Sequence, residues 1–157
     1  MADNANDLDP SIDAHNFVVR EEYVFSEGVS TNYGHVIPSF MSVREMINEG
    51  LERSSFDAVK DKYGITSERL AKVTRIPLRT LGRRSRFTPD ESERILRVGR
   101  VFDVAQGVLE SGPVAQRWMT AEKRALGGLT PLDACDTEAG ALEVEHLLGR
   151  LEEGVFA

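Results

Sequence analysis

The chain has 157 residues, 41% of them hydrophobic, with six scattered prolines and a formal net charge of −7. That is enough apolar matter for one core or two small ones, while the lack of any apolar run of about 18 residues excludes a helical membrane span. The acidic start, MADNANDLDPSIDAHNF, has no basic segment leading into an apolar one, so no secretory signal is expected, and the lone Cys135 suits a reducing cytoplasm.

Residues 1–41 read as an N-terminal extension: polar at first, then two short β-prone runs, Phe17–Val19 and Tyr23–Phe25, split by Arg20-Glu21-Glu22. Helical signals begin at Ser42. Ser42 and Glu45 have the spacing of a capping box, and Met46, Ile47 and Leu51 supply an apolar face. A second short helix is expected after Ser55, with Phe56 and Val59 inward and Gly64 as its stop. A third starts at Thr66 or Ser67 and carries Leu70, Ala71 and Val73 inward. The residue before Pro77 is disfavoured in the α region, so the helix is interrupted there and a fourth spans 77–84 with Pro77 in its first position.

Thr88, Pro89 and Glu91 announce the longest helix, about 89–110. Ile95, Val98, Phe102, Ala105 and Leu109 form one stripe at helical spacing, and Val101, Val104 and Val108 a second on an adjoining face. The doubled face fits burial between two domains of one chain, or a dimer seam. Glu110-Ser111-Gly112-Pro113 marks a boundary. Beyond it stand a short helix with Trp118 and Met119, a turn at Gly127-Gly128, a short helix capped by Thr130 with Pro131 in its first position, and a last helix to about Leu151 with Ala141, Val144, Leu147, Leu148 and Leu151 inward. Nothing beyond residue 40 reads as strand, so the fold class is all-α.

Charge is unevenly placed. Residues 1–65 carry 5 basic and 12 acidic side chains, residues 66–100 carry 10 and 4, and residues 101–157 carry 4 and 10. A basic island between acidic flanks is the footprint of a polyanion site or of a partner with the opposite pattern. Two short helices joined by a tight turn, the second rich in arginine, suggest a helix-turn-helix that lays its second helix in the major groove. A solvated basic face is the plain alternative. Lys72, Arg94 and Arg97 each follow an acidic residue by four positions (Glu68, Asp90, Glu93), the stabilising helical order, and are discounted as DNA contacts. Arg75, Arg79, Arg83, Arg84 and Arg86 have no such neighbour and, with Thr80, form the expected DNA-binding set; the planar guanidinium suits guanine edges and phosphates. Gly82 would let the backbone approach a phosphate. Arg75 stands where this turn commonly holds a glycine with positive φ, at a cost of about 1 kcal/mol.

Catalysis finds no support: His15, His35 and His146 are far apart, there is no nucleophile elbow or phosphate-binding glycine loop, and no metal or cofactor is expected. His146, beside Glu143 and Glu145, reads as a surface residue. The end of the chain raises a different question. Glu152 and Glu153 crowd the negative end of a helix macrodipole, at a cost of roughly 0.3–1 kcal/mol each, ahead of Gly154 and a Val-Phe-Ala stub.

The run TLGRRSRFTPDESERILRVGRV, followed by Trp118 and by ALGGLTPLDACDTEAGALEVEHLLGRLEEGVFA, resembles the Xre/ParS/MbcA antitoxins, partners of RES-domain toxins. The likeness covers about residues 43–157 and is most specific in the last 40, in the tryptophan, the LGG-TPLD turn and the pattern of Gly149, Leu151 and Gly154; Thr80, Leu81, Arg83 and Arg84 match a family TL-x-RR pattern. It implies an Xre-like helix-turn-helix domain at 42–110 and a toxin-binding domain at 111–157, in which Trp118, Gly128, Pro131 and Leu148 are structural. It further implies a type II antitoxin, not an enzyme, that inhibits an NAD⁺-consuming toxin and represses its own operon as a homodimer within a larger complex. Such a protein is cytoplasmic and joins the nucleoid on operator DNA. By that resemblance Glu152, Glu153, Gly154, Val155, Phe156 and Ala157 enter or block the toxin's cleft; the pairing of these carboxylates with basic groups that otherwise hold the dinucleotide phosphates is a charge argument of our own. Two other readings stay open: a stand-alone regulator whose C-terminal domain only dimerises, and an interaction module that grips an acidic protein.

Overall fold

A capped, doubly apolar helix must lie at the centre of whatever it builds, and α5 (Pro89–Leu109) does. The computed structural model describes residues 40–154, with side chains from Val43 onward. Around α5 stand α1 (Phe40–Glu49), α2 (Arg53–Tyr63), α3 (Ser67–Thr74) and α4 (Leu78–Leu81) from the first half, and α6 (Gly112–Thr120), a 3-10 turn (Arg124–Leu126), α7 (Pro131–Ala134) and α8 (Glu138–Glu152) from the second. The described residues are all-α, with one isolated backbone bridge between Glu52 and Arg86. The β-prone runs at 17–19 and 23–25, and the tip residues Val155, Phe156 and Ala157, lie outside them.

The start of α5 is fixed twice over. The Glu91 N–H donates to Thr88 Oγ1 at 3.2 Å and the Thr88 N–H donates to Glu91 Oε2 at 2.9 Å, closing the expected capping box, and Pro89 occupies the first turn. Ser92 Oγ accepts the Leu51 N–H at 2.8 Å, tying that turn to the α1–α2 corner. Gly50 turns this corner with φ 82°, and a side chain there would collide with the Phe87 carbonyl. Along α5, Ile95, Val98 and Ala105 are fully buried and Phe102 nearly so, the isoleucine, valine and phenylalanine side chains each contributing about 1.5–3 kcal/mol. Val101 is also fully buried, and Val104 and Val108 pack half-buried on the same core. The second apolar row thus packs on the chain's own core, where α6 and α8 lie against α5.

Three expectations need correction. The first helix starts at Phe40, so Ser42 stands inside it and not at its cap. The second starts at Arg53, before Ser55, with Glu52 at the cap position. The fourth covers only Leu78–Leu81, not 77–84: Pro77 is its cap residue and Gly82 ends it.

Candidate functional site

The basic island is built on α3 and α4. Thr66 caps α3, its hydroxyl accepting the Arg69 N–H at 3.3 Å, and Leu70, Ala71 and Val73 face the core. Arg75 follows with φ 55°. The Ile76 N–H donates to the Ala71 carbonyl at 2.9 Å and the Arg75 N–H to the Lys72 carbonyl at 3.2 Å, the paired bonds of a Schellman stop. The end of α2 makes the same pair with Gly64 in the left-handed position. The turn therefore has the shape that glycine favours, and arginine occupies it at a steric cost. Ile76 and Leu81 are buried and seat α4 on the core, and the Arg53 Nε–H donates to the Leu81 carbonyl at 2.8 Å.

The five arginines divide sharply. Arg79 on α4 and Arg83 just after it are exposed, with no side-chain partner among the described residues. Leu78 is half exposed, Thr80 is half-buried, and a side chain at Gly82 would meet nothing, so no internal contact requires glycine there. The other three are met by acids from elsewhere in the fold: Arg75 by Asp136 at 2.9 Å, Arg84 by Glu91 at 3.3 Å, and Arg86 by Glu52 at 3.0 Å together with the Gly50 carbonyl at 2.9 Å. Pairing judged from neighbours four positions back fails in both directions. Lys72 bridges to Asp133 at 3.2 Å and not to Glu68; Arg97 bridges to Glu138 at 2.8 Å and not to Glu93; Arg94 donates to the Thr74 carbonyl at 2.6 Å and makes no bridge to Asp90.

The second half presents α8 and its end. Thr137 caps α8 through the Gly140 N–H at 3.1 Å, and Ala141, Val144 and Leu148 are fully buried. Leu151 packs half-buried on the core, Glu152 closes the helix, and Gly154 takes a left-handed φ of 68°. Glu152, Glu153 and Gly154 are exposed, and neither carboxylate meets a partner among the described residues. Trp118 is half-buried under Lys123, whose Nζ lies 5.0 Å from the ring centroid. Gly128 takes φ 88° in the turn before Thr130, and Pro131 is buried at the start of α7. Cys135 is fully buried with its thiol pushed up to about 12 by that burial, far from thiolate chemistry at neutral pH. His146 is exposed.

Two family models match this chain in succession: the antitoxin Xre-like helix-turn-helix domain over residues 42–100, and the antitoxin Xre/MbcA/ParS C-terminal toxin-binding domain over 105–154. A protein of Yersinia enterocolitica named Antitoxin Xre is 40% identical over 119 residues, covering 72% of this chain and 80% of its own length. Another Antitoxin Xre, from Photorhabdus laumondii, is 36% identical over 117 residues, 71% of this chain and 79% of its own. A third, from Pseudomonas putida, is 36% identical over 83 residues and spans 50% of this chain.

The chain belongs to the Xre antitoxin family.

The regions matched by the two models are fastened together by charge, a feature that reading the sequence missed. From α3, Arg69 Nη2 donates to Thr130 Oγ1 at 3.1 Å and lies 3.5 Å from Asp133, while Lys72 and Arg75 reach Asp133 and Asp136. From α5, Arg97 and Arg100 grip Glu138, and Arg100 also reaches Glu145 at 2.8 Å. Burial alone would raise the Asp133 carboxyl; hydrogen bonds from Thr130 and Lys72, with the Lys72 and Arg69 charges, hold it below its ordinary value. Glu138 is held low in the same way by Arg100 and Arg97 against its own desolvation. The α3 partners lie 61 residues apart in the chain. The only signal for them was the acidic cluster at 133–138 opposite the basic island.

Proposed function

We propose that this chain is a type II antitoxin of two parts. Its C-terminal part, residues 111–157, holds a RES-domain, NAD⁺-consuming toxin inactive by placing the segment Glu152–Ala157 in the toxin's cleft. Its helix-turn-helix part, residues 42–110, binds operator DNA as a homodimer and represses the operon, in the cytoplasm and at the nucleoid. One observation carries the toxin half: α8 runs out to exposed Glu152 and Glu153, which nothing among the described residues neutralises, ahead of Gly154 in the left-handed conformation. The DNA half is supported by Arg79 and Arg83, exposed and unpaired among the described residues, beside the buried Ile76 and Leu81 that anchor α4. Thr80 lies between them, and Arg75, Arg84 and Arg86 would reach phosphate by exchanging a carboxylate for it.

The test is co-expression with the product of the adjoining reading frame. That product is expected to be RES-like, lethal alone, harmless beside this chain and co-purified with it. A lethal neighbour that this chain neither binds nor silences contradicts the reading.

A further inference from the structure

The seam along α3 does more than hold two units together. Lys72 and Arg75 lie three residues apart, on one face of α3 and its terminal turn, immediately ahead of α4 with its exposed Arg79. Their side chains remain 75% and 59% exposed while bridged to Asp133 and Asp136. Exposed pairs of this kind are weak, and a duplex offers several phosphates at once, each contact gaining from counterion release. Arg69 is different. It is less exposed and bonded to the Thr130 hydroxyl as well as to Asp133, so α7 stays fastened to α3 when the outer two cations let go.

Building on the DNA-binding reading above, we propose that Asp133 and Asp136 are internal competitors of the DNA backbone. They occupy Lys72 and Arg75 in the free chain, and so set how tightly, and with what salt dependence, the helix-turn-helix holds a duplex. The C-terminal unit of this chain thereby damps the DNA affinity of the N-terminal one through two named carboxylates.

The experiment compares full-length wild type, Asp136→Asn, the double variant Asp133→Asn/Asp136→Asn, and a charge-matched control, Glu122→Gln/Glu143→Gln, whose exposed carboxylates meet no cation among the described residues. Each is titrated with a fluorescein-labelled duplex from immediately upstream of the chain's reading frame, and with a scrambled duplex, over a range of salt. We expect Asp136→Asn to bind about two- to fivefold tighter than wild type and the double variant on the order of tenfold tighter. The log–log salt slope should steepen by about 0.9 for each cation released. In an Arg75→Gln background the gain from Asp136→Asn should vanish. Circular dichroism checks the fold, and Asp136→Asn, whose side chain meets only Arg75 among the described residues, serves if the double variant melts early. Binding no tighter than that of the control, or weaker than wild type, overturns the proposal. If Arg79→Ala and Arg83→Ala lose affinity while the aspartate variants match the control, only the competition fails; if those arginine variants bind DNA like wild type, the DNA reading fails and takes this one with it.

Discussion

The two ends of the molecule handle charge in opposite ways. Of the five arginines expected to meet DNA, three are answered by carboxylates brought from Glu52, Glu91 and Asp136, leaving Arg79 and Arg83 without a side-chain partner among the described residues. At the end of α8, Glu152 and Glu153 are answered by nothing among the described residues, although a helix C-terminus is an unfavourable place for them. The difference teaches where to look for function. A charge that the fold neutralises serves the fold first, and a charge left alone beside a well-anchored helix is where an outside partner is to be sought.

The largest effect that would sharpen this contrast is on DNA. Arg79→Ala or Arg83→Ala should weaken operator binding by about 1–3 kcal/mol if the guanidinium meets a base, whereas Arg84→Ala or Arg86→Ala, each paired internally, should cost less. Equilibrium titration checks the ranking, and equal losses at all four would erase the distinction. A smaller effect belongs to stability. Arg75→Gly should relieve about 1 kcal/mol of left-handed strain and lose an exposed bridge worth roughly 0.2–1 kcal/mol, leaving stability in denaturant unchanged or slightly raised. A clear loss would mean that the Asp136 bridge outweighs the strain.

The smallest effect is that of acid on the seam. Asp133 and Glu138 titrate lower in the folded chain than unfolded. The stability they contribute is therefore complete above about pH 4.3 and is lost as pH falls through their lower folded values. Asp103 works against them, since burial, only partly offset by Lys62 and Tyr63, raises its carboxyl. The denaturation midpoint should fall more between about pH 5 and pH 3 in wild type than in Asp133→Asn/Glu138→Gln. Parallel curves would remove the seam from the account.

Much of the fold was legible because it is locally encoded. Thr88 and Thr130 cap the helices they were expected to cap, Thr66 and not Ser67 caps α3, Gly64 stops α2, and the 3/4 stripe of α5 is its buried face. Even the strain at Arg75 could be suspected from the residue type. The length of α4 was misjudged because no stop signal was read at Gly82, where the helix in fact ends. The pairing of the cations was misjudged for a deeper reason. Neighbours four residues apart compete with carboxylates delivered by tertiary structure, and Lys72, Arg75 and Arg97 all chose partners from α7, α8 or the turn between them. Which arginines are free is decided by packing, and that cannot be read from spacing.

Deleting residues 152–157 separates the two proposed roles, a tip that silences the toxin and arginines in the other half that read DNA. The shortened chain should keep its helical spectrum and its operator affinity, yet leave the co-purified toxin's NAD⁺ consumption running. Full inhibition by the shortened chain would contradict the account.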